Sequence, residues 1–373
     1  MIITRHHERQ HYSVVFDTRS GFFARVEDAG WPEPSWAEHG PELMDIAITN
    51  WCDRGCTFCY RQSSEKGAHM RMADYRTVLR QASGLGVLQV ALGGGNPNQH
   101  PLFPEMIGCA RAEYGIVPSY TTNGRGLTPE VISATRRYCG AVAVSAYPPF
   151  TEAAEAVRKL VEHGVKANIH YILDHRGVDR AISWLENPPK WFDGLNAVIF
   201  LNFKPVTRNG DKRRVANGNP RVGRVFELAT TGKHPFKIGF DGCCTTGLLT
   251  CGDPALISVE ACDAARFSMF VSEEMRAYPC SFMADLCEGH LVTTTNLQEI
   301  WQQGNLFVEM RRSLSPSRCG RCNVATHCMS GCPLFPEINI CRPVVEETRV
   351  QKAMRRRGDD LIEFAPTAPA RHR

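Results

Sequence analysis

The sequence predicts an α/β fold: a parallel sheet built from six successive strand and helix units, followed by a cysteine-rich C-terminal segment. Three observations carry this. From residue 44 to about 205, short apolar runs of β type alternate with amphipathic stretches, which is the rhythm of βα units. Strict alternation of that kind implies parallel strands joined by right-handed crossovers. The 16 cysteines are unevenly spread, with six in the first 243 residues and ten between Cys244 and Cys341.

Residues 1–43 carry Phe16, Phe22, Phe23, Trp31 and Trp36 among several prolines. They read as a cap packed on the sheet, with a substrate-binding arm as the alternative. The strands are expected at 44–49, 87–92, 117–122, 141–145, 167–173 and 197–203, and the helices at 73–83, 102–113, 129–138, 152–163 and 178–186. Thr128 before Pro129 and Glu130 is a helix start, since a capping hydroxyl precedes a proline at the first helical position. Gly164 after His163 is a stop. Six units are too few for a closed eight-stranded barrel, and no dinucleotide fingerprint opens the first helix. Residues 206–236 read as a linker with some helix, and the Arg-, Gly-, Asn- and Pro-rich loop from Lys204 to Arg224 reads as solvated, with a lining of the substrate channel as the alternative. A short strand, Lys237 to Phe240, opens the cysteine-rich region at 237–343. The end, 344–373 with Arg355-Arg356-Arg357, reads as a basic tail: a solvated helix, then disorder.

Composition limits the function classes. With 373 residues, 43% apolar and 22% charged, the chain lies in the globular range. No apolar h-region opens it and no apolar run reaches the roughly 18 residues of a membrane span, so a cytoplasmic protein without disulfides is expected. Metal ligation then becomes the leading account of the cysteines. The formal charge of +4 does not argue for nucleic acid, because bound metals and their deprotonated thiolates would change it.

The residues that follow the strands point to a site. In parallel α/β folds ligands bind at the carboxyl ends of the strands. Here those ends run into Thr49-Asn50-Trp51-Cys52, Gly93-Gly94-Gly95-Asn96-Pro97, Thr121-Thr122-Asn123-Gly124 and Ser145-Ala146-Tyr147. Cys52, Cys56 and Cys59 are three thiols on one loop with no fourth nearby. A structural zinc prefers four protein ligands. A [4Fe-4S] cubane held by three thiolates keeps one iron open for a small molecule.

Cys52-Asp-Arg-Gly-Cys56-Thr-Phe58-Cys59 resembles the C-x3-C-x-aromatic-C signature of the radical S-adenosylmethionine (SAM) superfamily. The resemblance covers residues 44 to about 205 and implies a partial (β/α)6 TIM-like barrel. It implies that Cys52, Cys56 and Cys59 bind a [4Fe-4S] cluster whose fourth iron is chelated by SAM. One-electron reduction then yields methionine and a 5′-deoxyadenosyl radical that takes hydrogen from a substrate. It further implies that Phe58 packs by the adenine and that Gly93, Gly94 and Gly95 admit the methionine ammonium. Asn96 stands where the family usually has Glu, and its amide carbonyl still accepts a hydrogen bond. By position Asn123, Ser145 and Asn168 are further candidates for SAM contacts.

Cys319, Cys322, Cys328, Cys332 and Cys341 read C-x2-C-x5-C-x3-C-x8-C. With Cys262 and Cys280 they are similar to the seven-cysteine pattern of the SPASM extension of peptide-modifying radical SAM enzymes. Glu273-Glu274-Met275 departs from it, since a glycine turn is usual there, which puts the local loop shape in doubt. The resemblance implies two auxiliary [4Fe-4S] clusters, one on Cys262, Cys280 and Cys332, the other on Cys319, Cys322, Cys328 and Cys341. Cys243, at the end of the 237–240 strand, is the choice for the missing fourth ligand, with Cys244, Cys251 or an open iron as alternatives. Cys109, Cys139 and Cys287 read as structural thiols.

The expected activity is thioether or C–C crosslink formation in a ribosomally synthesised peptide. Peptide epimerisation, small-molecule dehydrogenation and a non-enzymatic iron–sulfur electron carrier are the alternatives. The acid that sulfatase-maturing relatives carry just after the Cys280 equivalent is Ser281 here, and no residue is assigned as catalytic. Implied partners are the precursor peptide, a flavodoxin- or ferredoxin-type reductant and a separate leader-binding protein.

Overall fold

The computed structural model describes residues 1–206, 210–320, 322–341 and 348–355. The chain opens with three antiparallel strands, β1 (Ile2–His7), β2 (Tyr12–Asp17) and β3 (Phe23–Glu27), in the order β1-β2-β3. Strict alternation along β2 turns Tyr12, Val14 and Phe16 to one face, where they pack against Leu88 and Val117. Those two residues lie at the starts of barrel strands, so the cap covers the end of the barrel opposite the strand carboxyl ends. Arg25 of β3 fastens the cap by donating to Glu42 at 2.8 Å and Glu260 at 2.6 Å, with its guanidinium 3.6 Å from the Phe267 ring centroid.

The barrel strands follow as β4 (Leu43–Thr49), β5 (Gln89–Gly94), β6 (Val117–Thr122), β7 (Val142–Ser145), β8 (Ala167–Leu173), β9 (Ala197–Asn202) and β10 (Lys237–Phe240). All neighbours among them pair in parallel. Helices α1 (Met72–Gly84), α2 (Phe103–Gly108), α3 (Pro129–Tyr138), α4 (Thr151–Glu162), α5 (Val178–Glu186) and α6 (Val222–Thr231) cover the outside. Thr128 caps α3 by accepting from the Val131 N–H at 3.2 Å, and Gly164 takes a φ of +72° after α4. The helix expected to reach Glu113 instead widens into a π turn at Cys109–Glu113.

The stretch expected as a linker with some helix holds α6, whose Val225 and Phe226 are fully buried and which completes the sixth βα unit by leading into β10. The strand at 237–240 belongs to the barrel sheet rather than to a separate unit. On the other edge β11 (Ser268–Val271) pairs in parallel with β4 and continues antiparallel into β12 (Arg276–Tyr278) and β13 (His290–Leu291). One ten-stranded sheet, β10-β9-β8-β7-β6-β5-β4-β11-β12-β13, therefore crosses the expected domain border. Of the expected tail, a helix at Arg349–Arg355 is described, and its Val350, Ala353 and Met354 are buried, so it packs against the protein instead of being solvated; residues 344–347 and 356–373, with Arg356 and Arg357, lie outside the described residues. Among those residues no helix is long and apolar enough to cross a membrane.

Candidate active site

The carboxyl ends of the strands surround a cavity of about 400 Å³. Its floor is set by the meeting of β4 and β5. The Gly95 N–H donates to Thr49 O at 2.7 Å and the Asn96 N–H to Trp51 O at 2.9 Å. A Cβ on Gly94 or Gly95 would stand 2.0 Å from a backbone oxygen of Thr49 or Trp51, whereas one on Gly93 would meet nothing within 4 Å. Gly94 and Gly95 thus let the cysteine loop lie against β5, and Gly93 leaves open space in the cavity wall.

Cys52, Cys56, Cys59 and Phe58 line that cavity. Cys52 is anchored by its N–H on Ser64 O at 3.0 Å, and the Cys59 N–H turns back to Cys56 O at 3.2 Å. Burial raises the Cys56 thiol, and the neighbouring Cys52 and Cys59 add to this while Arg54 opposes it. Asn123 donates to Cys52 Sγ at 3.7 Å and to Asp53 Oδ1 at 3.1 Å. Its amide is therefore spent on the thiol loop. Asn96 is buried behind the cavity wall, accepting from Thr122 Oγ1 at 3.1 Å and the Asn123 N–H at 3.0 Å and donating to Gln99 at 2.6 Å. It organises the strand ends without facing the space. Ser145 lines the cavity. Asn168 does not: it is the second residue of β8, far from the strand's carboxyl end, and accepts from Asn196 at 2.6 Å. The expectation of a SAM contact at Asn168 is corrected on that ground. Phe58 packs edge-on to Tyr147 at 5.0 Å, and the Arg214 guanidinium lies 5.6 Å from its ring centroid. Arg214 thus brings the 204–224 loop against Phe58.

The cysteine-rich segment closes the other side. Phe270, Ser281 and Phe282 line the same cavity. Arg61, just beyond the cysteine loop, is clamped by Glu273 at 2.9 Å and Asp285 at 2.7 Å, with the Arg61 and Glu273 side chains only 4% and 5% exposed. Burial raises the Glu273 carboxyl and Arg61 pulls it back. This accounts for the departure at Glu273-Glu274-Met275: the turn survives with Met275 at a φ of +61°, and Glu273 gains a buried partner.

The remaining thiols fall into two groups. Cys243, Cys262, Cys280 and Cys332 influence one another's titration; Cys332 is buried and the other three are half-buried. The Cys332 thiol shares a hydrogen bond with Cys243, which lowers Cys243, and the Lys204 cation adds to this. Burial pushes Cys280 up to about 12. Cys328 and Cys341 likewise feel Cys319 and Cys322, and Cys322 is exposed. Of the alternatives to Cys243, Cys244 points its Sγ at Phe200 O, 3.8 Å away, and Cys251 neighbours Thr250 Oγ1 at 3.6 Å. No three His, Cys, Asp or Glu side chains among the described residues converge at single-ion spacing. The donor sets, three thiols beside a cavity and two groups of four, suit iron–sulfur chemistry.

Residues 46–181 match the model of the radical SAM superfamily. They form a radical SAM domain. Such a domain uses SAM and a [4Fe-4S] cluster. The mycofactocin maturase MftC of Mycobacterium tuberculosis H37Rv is 22% identical over 321 residues, covering 78% of each chain. The PqqA peptide cyclase of Streptomyces rochei is 27% identical over 156 residues, 38% of this chain and 43% of that one. Streptococcus suis SuiB bound to its precursor peptide SuiA shares the fold with a TM-score of 0.64 at 17% identity, over 79% of this chain and 72% of that one. The fold likeness thus extends well beyond residues 46–181.

Lys204, Asp241, His170 and Asp45 also line the cavity, and sequence reasoning missed all four. Asp45 did leave a signal, as the one charged residue inside the apolar run 43–49.

Proposed function

We propose that this protein is a radical SAM maturase that takes hydrogen from a peptide and installs a thioether or carbon–carbon crosslink in a ribosomally made precursor. The observation that carries the reading is the shared cavity: the three-thiol loop forms one wall and the cysteine-rich segment another, so a substrate between them would meet both. The names of the PqqA peptide cyclase and of SuiB bound to its precursor peptide SuiA support a peptide substrate, and MftC is named a maturase.

When bound, a reduced cluster and SAM supply a 5′-deoxyadenosyl radical. Cys52, Cys56 and Cys59 would hold that cluster, with the Asn123 amide stabilising charge on Cys52. Gly93 leaves room beside it and Phe58 offers a ring face. Cys243, Cys262, Cys280 and Cys332 would hold a second cluster and Cys319, Cys322, Cys328 and Cys341 a third, which makes about twelve irons per chain. The Lys204–Asp241 ion pair stands where the cavity meets the inner group. A flavodoxin- or ferredoxin-type reductant would supply electrons. A separate protein would hold the leader, because the N-terminal strands are occupied at the far end of the barrel. Sixteen cysteines outside disulfides suit a cytoplasmic setting.

Anaerobically reconstituted protein with SAM, dithionite and the precursor encoded beside its gene should release 5′-deoxyadenosine and shift the peptide mass by the loss of two hydrogens. Iron-replete protein that forms no 5′-deoxyadenosine overturns the reading.

A further inference from the structure

Along β4 the side chains alternate. Met44, Ile46 and Ile48 are fully buried on the helix side, which turns Asp45 to the inside of the barrel. Its strand neighbours are Ala91 of β5 and Phe270 of β11, and all three line the cavity. Ala91 is small, so the carboxylate has space beside it. Across from it the Tyr60 ring stacks on Phe282 with centroids 4.4 Å apart, and the Tyr60 hydroxyl is engaged by Ser281.

Other polar groups of this cavity are committed elsewhere. Lys204 pairs with Asp241, Asn123 with Cys52 and Asp53, and Asn202 donates to the backbone of Cys243 and Ile338 at 3.0 and 3.1 Å. Asp45 makes no hydrogen bond or ion pair among the described residues. A carboxylate held in an apolar strand without a partner is costly for the fold, and such costs collect where a group meets a ligand.

We propose that Asp45 is a catalytic residue that contacts the substrate in this cavity and accepts the proton the substrate gives up as its new bond forms. The inference rests on the peptide-modifying reading above. The step is an acid–base one: an S–H, O–H or N–H bond of the peptide breaks heterolytically, the proton passes to a carboxylate oxygen of Asp45, and the electron pair stays on the peptide atom. That pair then bonds to the carbon from which hydrogen was taken, and the one surplus electron needs a one-electron acceptor of the iron–sulfur class; none is drawn from or given to Asp45. The substrate class is thus a peptide whose reacting side chain or amide carries such a proton. Asp45 does the work that position 281 cannot, because Ser281 is no base and is engaged with Tyr60. Burial, with Asp263 adding, raises the Asp45 carboxyl to about 7, which matches a base working near neutrality. His170 shares the cavity, but burial lowers it to about 4, so it holds a proton poorly.

The test uses the iron-replete holoenzyme with SAM, dithionite and the precursor peptide. Asp45→Asn and Asp45→Ala should each lower modified peptide per 5′-deoxyadenosine formed by about 100-fold or more, with a larger change in kcat than in peptide KM. Asp45→Glu should recover part of the ratio, all three variants should keep wild-type iron content, and Asp45→Asn and Asp45→Ala should show a Tm no lower than wild type. An unchanged ratio in Asp45→Asn overturns the proposal. So does loss of iron or of folding in that variant, which would assign Asp45 to the scaffold. A wild-type enzyme that cleaves SAM but modifies no peptide would instead remove the reading on which the proposal stands.

Discussion

The two ends of the barrel are built from the same strands and treat sequence in opposite ways. At the amino end the strand starts are sealed by a three-stranded sheet through apolar contacts, Tyr12, Val14 and Phe16 on Leu88 and Val117. At the carboxyl end the same strands run into glycines, amides and thiols around an open cavity. The first end is a packing problem, where volume decides. The second is a chemical one, where atom type and spacing decide, and stability is given up to hold polar groups near a ligand.

Substitutions can break this contrast or sharpen it. The largest effect is expected from Cys59→Ala: 5′-deoxyadenosine formation should vanish, and bound iron should fall by about four per chain, while Tm stays near that of wild type. Next, Phe16→Ala at the sealed end should cost about 3–5 kcal/mol by chemical denaturation, with the modification rate of the folded fraction unchanged. If that variant loses activity without losing stability, the division between the ends is wrong. Cys243→Ala should remove less than one cluster's iron and alter the spectrum of the auxiliary clusters. If neither changes, Cys243 is no ligand. The smallest effect is expected from Phe22→Ser, since that ring is 60% exposed on the cap; stability should move by less than about 0.5 kcal/mol.

Legibility in the sequence followed the same division. The six strands, the Thr128 cap and the Gly164 stop could be read locally, because periodicity and capping are properties of neighbouring residues. The cysteine loop was legible because three thiols at fixed spacing have few other uses. Cys243 was reachable only through its place after a short strand, and the structure brings it to Cys332. What stayed hidden depends on depth along a strand or on distant partners. Asn168 has a suitable side chain at the wrong end of β8. Asn96 follows the glycines as expected, yet it turns behind the wall to serve Thr122 and Asn123. The Glu273 departure made sense only once Arg61 was found 2.9 Å away. The strand 237–240 was recognised, but its pairing with β9 was not, since a parallel partner can lie anywhere along the chain.

The sheet that crosses from barrel to cysteine-rich segment has a practical consequence for anyone cutting the gene. Both flanks of the six-stranded unit are occupied by later sequence, β10 beside β9 and β11 beside β4. A fragment ending near residue 205 would bare two long rows of backbone donors and acceptors, which are templates for association with other chains. Such a fragment should be recovered as aggregates or inclusion bodies, and the shortest well-behaved expression product should extend past Val271.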